Sequence, residues 1–293
     1  MNTIKIIQKY QSNEACSDFL CQLRWNTDKK CPYCQSEKVS IHTEKGRRSR
    51  LQCSACKVSF SPTVNTMMHN SKVPLFKWFL AISMLSEAKK SISSRQLARH
   101  LDLPVKTAYA LCQRVRKGLL GTRSPLLKGI IEMDETYIGG KPRHPNLFGT
   151  KRGRGTKKTM VVGAIERGGS VIAKMAEQYR GKNVRDMILE NVDIEKSKIY
   201  SDEYGIYNKV KKLTPHDFVN HGRKQYVRGN VHTNTIEGFW ASVKRALYGQ
   251  HHHYSKQYTP LYIAEAAFKY NNRHNDTDTV FNNAMNATLC LSS

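Results

Sequence analysis

The sequence predicts an α/β protein, a mixed sheet covered by helices, preceded by a small cysteine-built module and a helical module. Six of the eight cysteines fall within residues 1–70, apolar residues recur at helical spacing through 71–122, and β-rich runs alternate with helical patterns through 123–293. The last stretch reads strand, hairpin, helix, strand, helix, strand, helix, a succession that a sheet with helices packed on it explains. At 293 residues the chain is long enough for one such domain with a sizeable core plus accessory modules.

In the first module, Cys31-Pro-Tyr-Cys34 and Cys53-Ser-Ala-Cys56 are two Cys-x-x-Cys knuckles with eighteen residues between them. Two residues between thiolates let both sulfurs reach one ion from a single turn, and two such turns complete a tetrahedron around Zn²⁺. The intervening segment is strand-forming and basic, with Val39, Ile41, Arg47, Arg48, Arg50 and Leu51. The pattern reads as a zinc ribbon in which Cys31, Cys34, Cys53 and Cys56 hold one structural Zn²⁺, and the arginines beside the knuckles suit a phosphate backbone. A redox dithiol is the competing reading, but it needs one such motif near a βαβ unit and not two at ribbon spacing. Cys16 and Cys21 are near enough to compete as ligands, whereas Cys112 and Cys290 are not.

In the second module, Leu75, Phe76, Phe79, Leu80, Ile82 and Leu85 mark one helix. Ser94 to His100 marks a short second helix, Asp102-Leu103-Pro104 a tight break, and Val105 to Leu119 a third helix. That third helix turns Ala108, Leu111 and Val115 inward and places Lys106, Tyr109, Gln113, Arg114, Arg116 and Lys117 on its other faces. Helix, short turn and basic helix outline a helix-turn-helix whose second helix enters a major groove. A three-helix linker with an ordinary solvated face fits the same residues.

Beyond a Gly/Pro-punctuated boundary at 121–129, Gly129–Met133, Thr159–Ile165 and Val171–Met175 are strand candidates, the last two joined by Arg167-Gly168-Gly169 as a hairpin. Val184–Asn191 reads as helix, Lys198–Tyr200 as strand, Tyr204–Leu213 as helix, Asp217–Asn220 as a short strand and Thr235–Tyr248 as an amphipathic helix. A last helix is expected from about Tyr262 to Tyr270.

Within this domain Asp134 and Asp202 each follow a β-rich run, so on neighbouring strands both carboxylates would project from one rim of the sheet. Mg²⁺ takes such oxygen ligands, and two ions about 4 Å apart activate an attacking oxygen and stabilise a leaving one. Glu237, 35 residues beyond Asp202 on the amphipathic helix, is the candidate third carboxylate. Lys244 lies nearly two turns further along the same face, placed for a phosphate, and Asn234 lies one turn earlier. Each residue also has a structural explanation: the aspartates as loop caps, and Asn234 with Glu237 as a capping box.

Charge points to the partner. Lysine and arginine number 48 against 23 acids, a net +25 with a pI near 9.8, which calls for a polyanion. Nucleic acid fits better than a membrane, because no stretch approaches the ~20 apolar residues of a span and the basic residues are spread along the whole chain. Met1–Tyr10 carries Lys5 and Lys9 within its apolar positions and lacks a signal-peptide pattern. A reducing, cytoplasmic setting is therefore expected, with the cysteines read as ligands or free thiols.

Three blocks then resemble a known family. Met133-Asp134-Glu135-Thr136-Tyr137-Ile138-Gly139-Gly140-Lys141, Ser201-Asp202-Glu203-Tyr204, and His232 to Trp240 with Lys244-Arg245 are similar to those of insertion-sequence DDE transposases of the insertion sequence 1595 (ISXO2-like) type. The resemblance spans nearly the whole chain. It implies a zinc ribbon at 1–70, a helical DNA-binding or linker module at 71–122 and a ribonuclease H-like DDE catalytic domain at 123–293. It further implies that Asp134, Asp202 and Glu237 form the triad with Lys244 beside it, holding two Mg²⁺ or Mn²⁺ ions. Some members use asparagine as third ligand, which keeps Asn234 as an alternative. The implied activity is cleavage at terminal inverted repeats and joining of the freed 3′ hydroxyl to target DNA. Double-stranded DNA is then the partner, bound by a homo-oligomer of at least two copies, in a bacterial, nucleoid-associated setting. The glycine- and proline-bearing stretch 141–158, with Lys141, Arg143, Lys151, Arg152, Arg154, Lys157 and Lys158, suits transposon-end phosphates.

Two rivals exist. Gln250-His251-His252-His253-Tyr254 resembles, poorly, the metal-and-tyrosine site of single-strand nickases. A non-enzymatic zinc-ribbon and helix-turn-helix regulator would bind DNA without needing the acids.

Overall fold

The computed structural model describes residues 1–26, 29–42, 50–122, 124–140, 156, 158–176 and 181–289. The chain divides into two compact units, Met1–Thr122 with His274–Ser293, and Arg123–Arg273.

The first unit begins with α1 (Thr3–Lys9) and α2 (Asn13–Trp25), each opened by a polar cap: Asn2 accepts from the Lys5 amide and Ser12 from the Ala15 amide. Neither helix is announced by apolar periodicity, since α1 buries Ile6 alone and α2 buries only Cys16 and Leu20. The ribbon follows as an antiparallel sheet of β1 (Val39–His42), β2 (Arg50–Cys53) and β3 (Ser59–Phe60). Leu51, Phe60 and Val64 form its core, with Trp25 of α2 packed against them.

α3 (Leu75–Glu87) buries Trp78, Phe79, Ala81, Ile82 and Leu85 together, as befits a helix surrounded on all sides. α4 (Ser94–Leu101) and α5 (Val105–Leu120) are joined by a tight turn in which Asp102 adopts φ 46°. The helix, turn, helix outline is therefore present as expected. The unit is completed by α9 (Thr277–Leu289), whose Val280, Phe281, Ala284 and Met285 are buried and which packs on α3 and α5. Gly118 of α5 makes that approach possible, because a Cβ there would stand 2.8 Å from the Ala287 carbonyl oxygen. The helix ending near Tyr270 is thus followed by another, and the compact unit holding the large sheet ends at Arg273.

The second unit comprises β4 (Leu127–Ile138), β5 (Thr159–Glu166), β6 (Val171–Met175), α6 (Gly181–Asn191), β7 (Val192–Ser201), β8 (His216–Phe218), α7 (Asn234–Ala246) and α8 (Thr259–Asn271). Its sheet has the order β6-β5-β4-β7-β8. Strands β4, β5 and β6 pair antiparallel, while β7 lies parallel to both β4 and β8. This is the predicted mixed sheet with helices on it. Strands β4 and β7 are longer than their apolar runs suggest, because alternate positions carry Glu132, Asp134, Asp193 and Glu195. The segment Gly205–Lys212, expected as an α-helix, is a 3₁₀ helix.

Both faces of the sheet are covered. Leu127, Ile131 and Met133 of β4 and Met160, Val162 and Ala164 of β5 pack under α6 and the 3₁₀ segment. Ile138, Val161 and Ile165 pack on the other face against Ile236, Phe239, Trp240 and Val243 of α7 and Ile263 of α8. Burial on both sides is why Met160 to Ile165 reads as an unbroken apolar run. Among the described residues no helix is long and apolar enough to cross a membrane.

Candidate metal centres

The two knuckles bring four sulfurs together. Cys31 Sγ and Cys56 Sγ are 3.7 Å apart, Cys34 Sγ and Cys53 Sγ 3.6 Å, and all four lie within 4.8 Å of one another. Zinc–sulfur bonds of about 2.3 Å in a tetrahedron imply sulfur separations of about 3.8 Å, so the cage fits zinc as it stands. Each knuckle ends on a residue in the left-handed region, Gln35 at φ 60° and Lys57 at φ 59°. Backbone amides of Cys56 and Ala55 pull the Cys53 thiol down to about 6, while desolvation and the other three cage thiols push Cys34 up to about 12, a competition for protons that a bound metal would relieve. Cys16 is buried elsewhere with its thiol pushed up to about 12 by burial, and Cys21 packs on the ribbon core outside the cage.

The acids meet at the end of two parallel strands. Pairing of β4 with β7 runs Ile130↔Lys198, Ile131↔Ile199, Glu132↔Tyr200, and two further residues along each chain are Asp134 and Asp202. Asp134 does not end its strand as the apolar run suggests, because β4 continues to Ile138 in pairing with β5 while β7 stops at Ser201. It stands where the sheet opens on the β7 side. Asp202, in the first residues of the loop, accepts the Tyr204 amide at 3.0 Å.

One carboxylate oxygen from each of Asp134, Glu135 and Asp202 lies within 4.8 Å of the others. Glu135 was missing from the candidate residues. Neighbours on a strand point to opposite faces, and Glu135 is held from the α6 side by the buried Tyr207, whose hydroxyl donates to Oε2 at 3.0 Å. Burial and the charge of Glu135 hold the Tyr207 hydroxyl well above its usual range, so it remains a donor. Burial pushes the Asp134 carboxyl up to about 8, aided by the charges of Glu135, Asp202 and Glu237. More negative charge is gathered here than the site can carry unaided, which is the condition a divalent cation relieves.

Glu237 sits exposed in the first turn of α7 and acts on Asp134 through its charge. The Thr233 hydroxyl donates to its Oε1 at 2.9 Å. Thr233 is the N-cap and Asn234 lies inside the helix, so the expected Asn234–Glu237 capping box does not form. Lys244 and Arg245 are exposed on the same helix. Gly163 of β5, paired with Asp134, lets α7 lie close: a Cβ there would be 2.6 Å from Trp240 Cζ2.

Residues 126–271 match the family pattern described as ISXO2-like transposase domain, and residues 11–59 match the transposase zinc-ribbon domain. A relative from Halobacterium salinarum, described as an uncharacterized protein in transposable element ISH50, is 30% identical over 273 residues, 88% of this chain and 90% of that one. The chain belongs to the ISXO2-like transposase family. Its acidic cluster lies inside the matched domain and its cysteine cage inside the matched ribbon. Among solved structures, the Mos1 strand transfer complex aligns with 72% of this chain and 74% of its own at 11% identity and a TM-score of 0.31. The Mos1 paired-end complex with left transposon end aligns with 71% and 74% at 13% identity and a TM-score of 0.30. Both overlaps are too loose to argue from.

The other candidates of this ISXO2-like chain have surroundings of their own. Arg50 donates from Nε and Nη2 to Ser59, bracing β2 on β3. Arg114 donates to the His69 carbonyl and lies over the Trp78 ring at 5.8 Å. Lys106 and Lys117 are exposed on α5, and Lys158 is half-buried beside Gly139. Arg47, Arg48, Lys141, Arg143, Lys151, Arg152, Arg154 and Lys157 lie outside the described residues. Tyr254, the tyrosine of the nickase reading, is 8% exposed and stacked on Tyr262 at 4.2 Å, with His251 against the same ring at 4.6 Å. A packed tyrosine does not serve as a nucleophile toward DNA.

Proposed function

We propose that this chain is a DNA transposase that cleaves at transposon ends and joins the freed 3′ hydroxyl to target DNA, using Asp134, Asp202 and Glu237. The observation that carries this reading is the convergence of Asp134 and Asp202 just beyond the last pairing of β4 with β7, with a third carboxylate on α7 close enough to oppose ionisation of Asp134. Asp134, Asp202 and Glu237 would hold two Mg²⁺ or Mn²⁺ ions, with Asn234 the alternative third ligand and Glu135 at hand. When bound, such ions lower the barrier to in-line displacement at phosphorus by stabilising both the attacking and the leaving oxygen.

The protein's own part is to arrange and to bind. Asp134 is fixed by the pairing of β4 with β5, Asp202 by the Tyr204 amide it accepts and Glu237 by Thr233. Lys244, two turns beyond Glu237, contacts a phosphate of the bound strand. The exposed face of α5, with Lys106 and Lys117, enters a major groove of the transposon end, and Arg245, Lys158 and the basic residues of 141–157 contact DNA phosphates. The ribbon at 1–70, the helical module at 71–122 and the domain from 123 act as successive modules on double-stranded DNA, within a dimer or larger oligomer. Cys31, Cys34, Cys53 and Cys56 would hold a structural Zn²⁺, since four thiolates leave no open position for chemistry.

The test uses purified chain, Mg²⁺ and DNA bearing candidate terminal repeats. Asp202→Asn is expected to bind these ends as the parent does and to lose end cleavage and joining by at least 10²-fold, roughly the loss expected when a group in the reacting centre is removed. Undiminished joining by that variant would overturn the metal-site reading, and binding without any cleavage or joining by the parent itself would leave a DNA-binding regulator in its place.

A further inference from the structure

Two residues before Asp134, on the same face of β4, Glu132 is completely buried. Its carboxylate is surrounded. Arg167 Nε donates to Oε1 at 2.6 Å, the Thr235 hydroxyl to Oε1 at 2.9 Å, and the amides of Thr235 and Ile236 to Oε2 at 2.7 and 3.1 Å. His232 Nδ1 lies 3.3 Å from Oε1, and Arg167 Nη2 also donates to the His232 carbonyl at 3.1 Å. The set joins β4, the β5–β6 turn and the entry to α7.

The first amides of any helix lack partners within it. Thr233, at the N-cap of α7, makes no side-chain cap, its hydroxyl being turned to Glu237 instead. Ile236 is fully buried, so water does not satisfy its amide. Glu132 supplies the cap from the sheet face on which α7 lies, with its negative charge at the positive end of the helix dipole and Arg167 neutralising it. The next residue of α7 is Glu237, and the next same-face residue of β4 is Asp134. One buried anchor therefore fixes the spacing of the two elements that carry opposing members of the triad.

We infer that Glu132 is a positioning residue: by clamping the N-terminus of α7 to β4, it sets where Glu237 and Asn234 stand relative to Asp134 and Asp202. This rests on the reading of those carboxylates as the metal site. Glu132 itself touches no substrate. Its loss is therefore felt first in how well the triad gathers a cation, and only through that in turnover.

Glu132→Gln keeps the size of the side chain and removes the charge that gathers four donors. In the metal-free protein its hydrogen exchange should quicken at the Thr235 and Ile236 amides while the β5 amides stay protected, and binding to transposon-end DNA should stay within about twofold. With Mg²⁺ added, the concentration giving half-maximal cleavage should rise about tenfold or more, as supporting residues around metal ligands typically cause, with the rate recovering at high Mg²⁺. Unchanged exchange at those two amides together with an unchanged Mg²⁺ requirement would overturn the inference. If Glu132→Gln unfolds the sheet, seen as lost β5 protection, Thr235→Val decides. It removes one donor and leaves the Arg167 pair, and it should raise the Mg²⁺ requirement by a smaller factor; no rise would refute the clamp. Asp202→Asn separates the two failures: if it still cleaves, the metal-site reading falls, while the exchange measurement continues to judge the grip of Glu132 on α7.

Discussion

Asp134 carries the most direct pH prediction. Its folded-state carboxyl is pushed up to about 8 from an ordinary 3.8, chiefly by burial and then by Glu135, Asp202 and Glu237. A raised pKa means the fold favours the protonated form, so that contribution is complete at low pH and is lost as pH rises through the folded value. The metal-free protein should therefore melt several degrees lower at pH 8 than at pH 5. Asp134→Asn should flatten that difference, and Mg²⁺ should raise the melting temperature of the parent more at pH 8 than at pH 5. A melting temperature that climbs with pH would contradict this account of the site. At the other centre, Cys53→Ser should reduce bound zinc well below one ion per chain and loosen the ribbon, since it removes one of the four sulfurs that join its knuckles; one zinc per chain retained in that variant would refute the four-sulfur cage.

Helix α7 and strand β5 set the next scale. The approach of Trp240 to Gly163 leaves no room for a methyl group, so Gly163→Ala should destabilise the protein by roughly 1–3 kcal/mol through overpacking. Adding Trp240→Phe should return part of that loss, which thermal melting of single and double variants would register. These elements also indicate what could be read without a structure. Asp134 and Asp202 were legible because each follows a β-rich run, and α7 because Ile236, Phe239, Trp240 and Val243 repeat at helical spacing. Glu132 and Glu135 were not. In Glu132-Met133-Asp134-Glu135 three acids crowd one strand, and sequence does not say which faces the rim, which a buried tyrosine and which the start of a helix. The partners that decide it, Arg167, Tyr207 and Thr235, lie 35, 72 and 103 residues away from the acids they hold. α9 escaped notice for a different reason: its apolar residues Val280, Phe281, Ala284 and Met285 are interspersed with asparagine and threonine, poor helix formers that weaken the pattern.

Over the whole molecule, the net charge of +25 makes the proposed DNA binding a problem of counterion release. Affinity for any duplex should fall on the order of 10³-fold between about 50 and 200 mM salt if six or more phosphates are neutralised, and a titration showing little change would count against a broad basic interface. The order of the chain has a consequence of its own. The last helix belongs to the N-terminal unit, so the residues that open the chain wait, during synthesis, for the whole of 123–273 to be made before their core is closed. On the ribosome the large sheet has its complete sequence first, while α3 and α5 still expose the apolar surface that α9 will cover. A chain cut before Thr277 would thus keep every candidate catalytic residue and yet lose the helix that closes the core of the unit carrying the ribbon, so that damage behind the large sheet is felt in front of it.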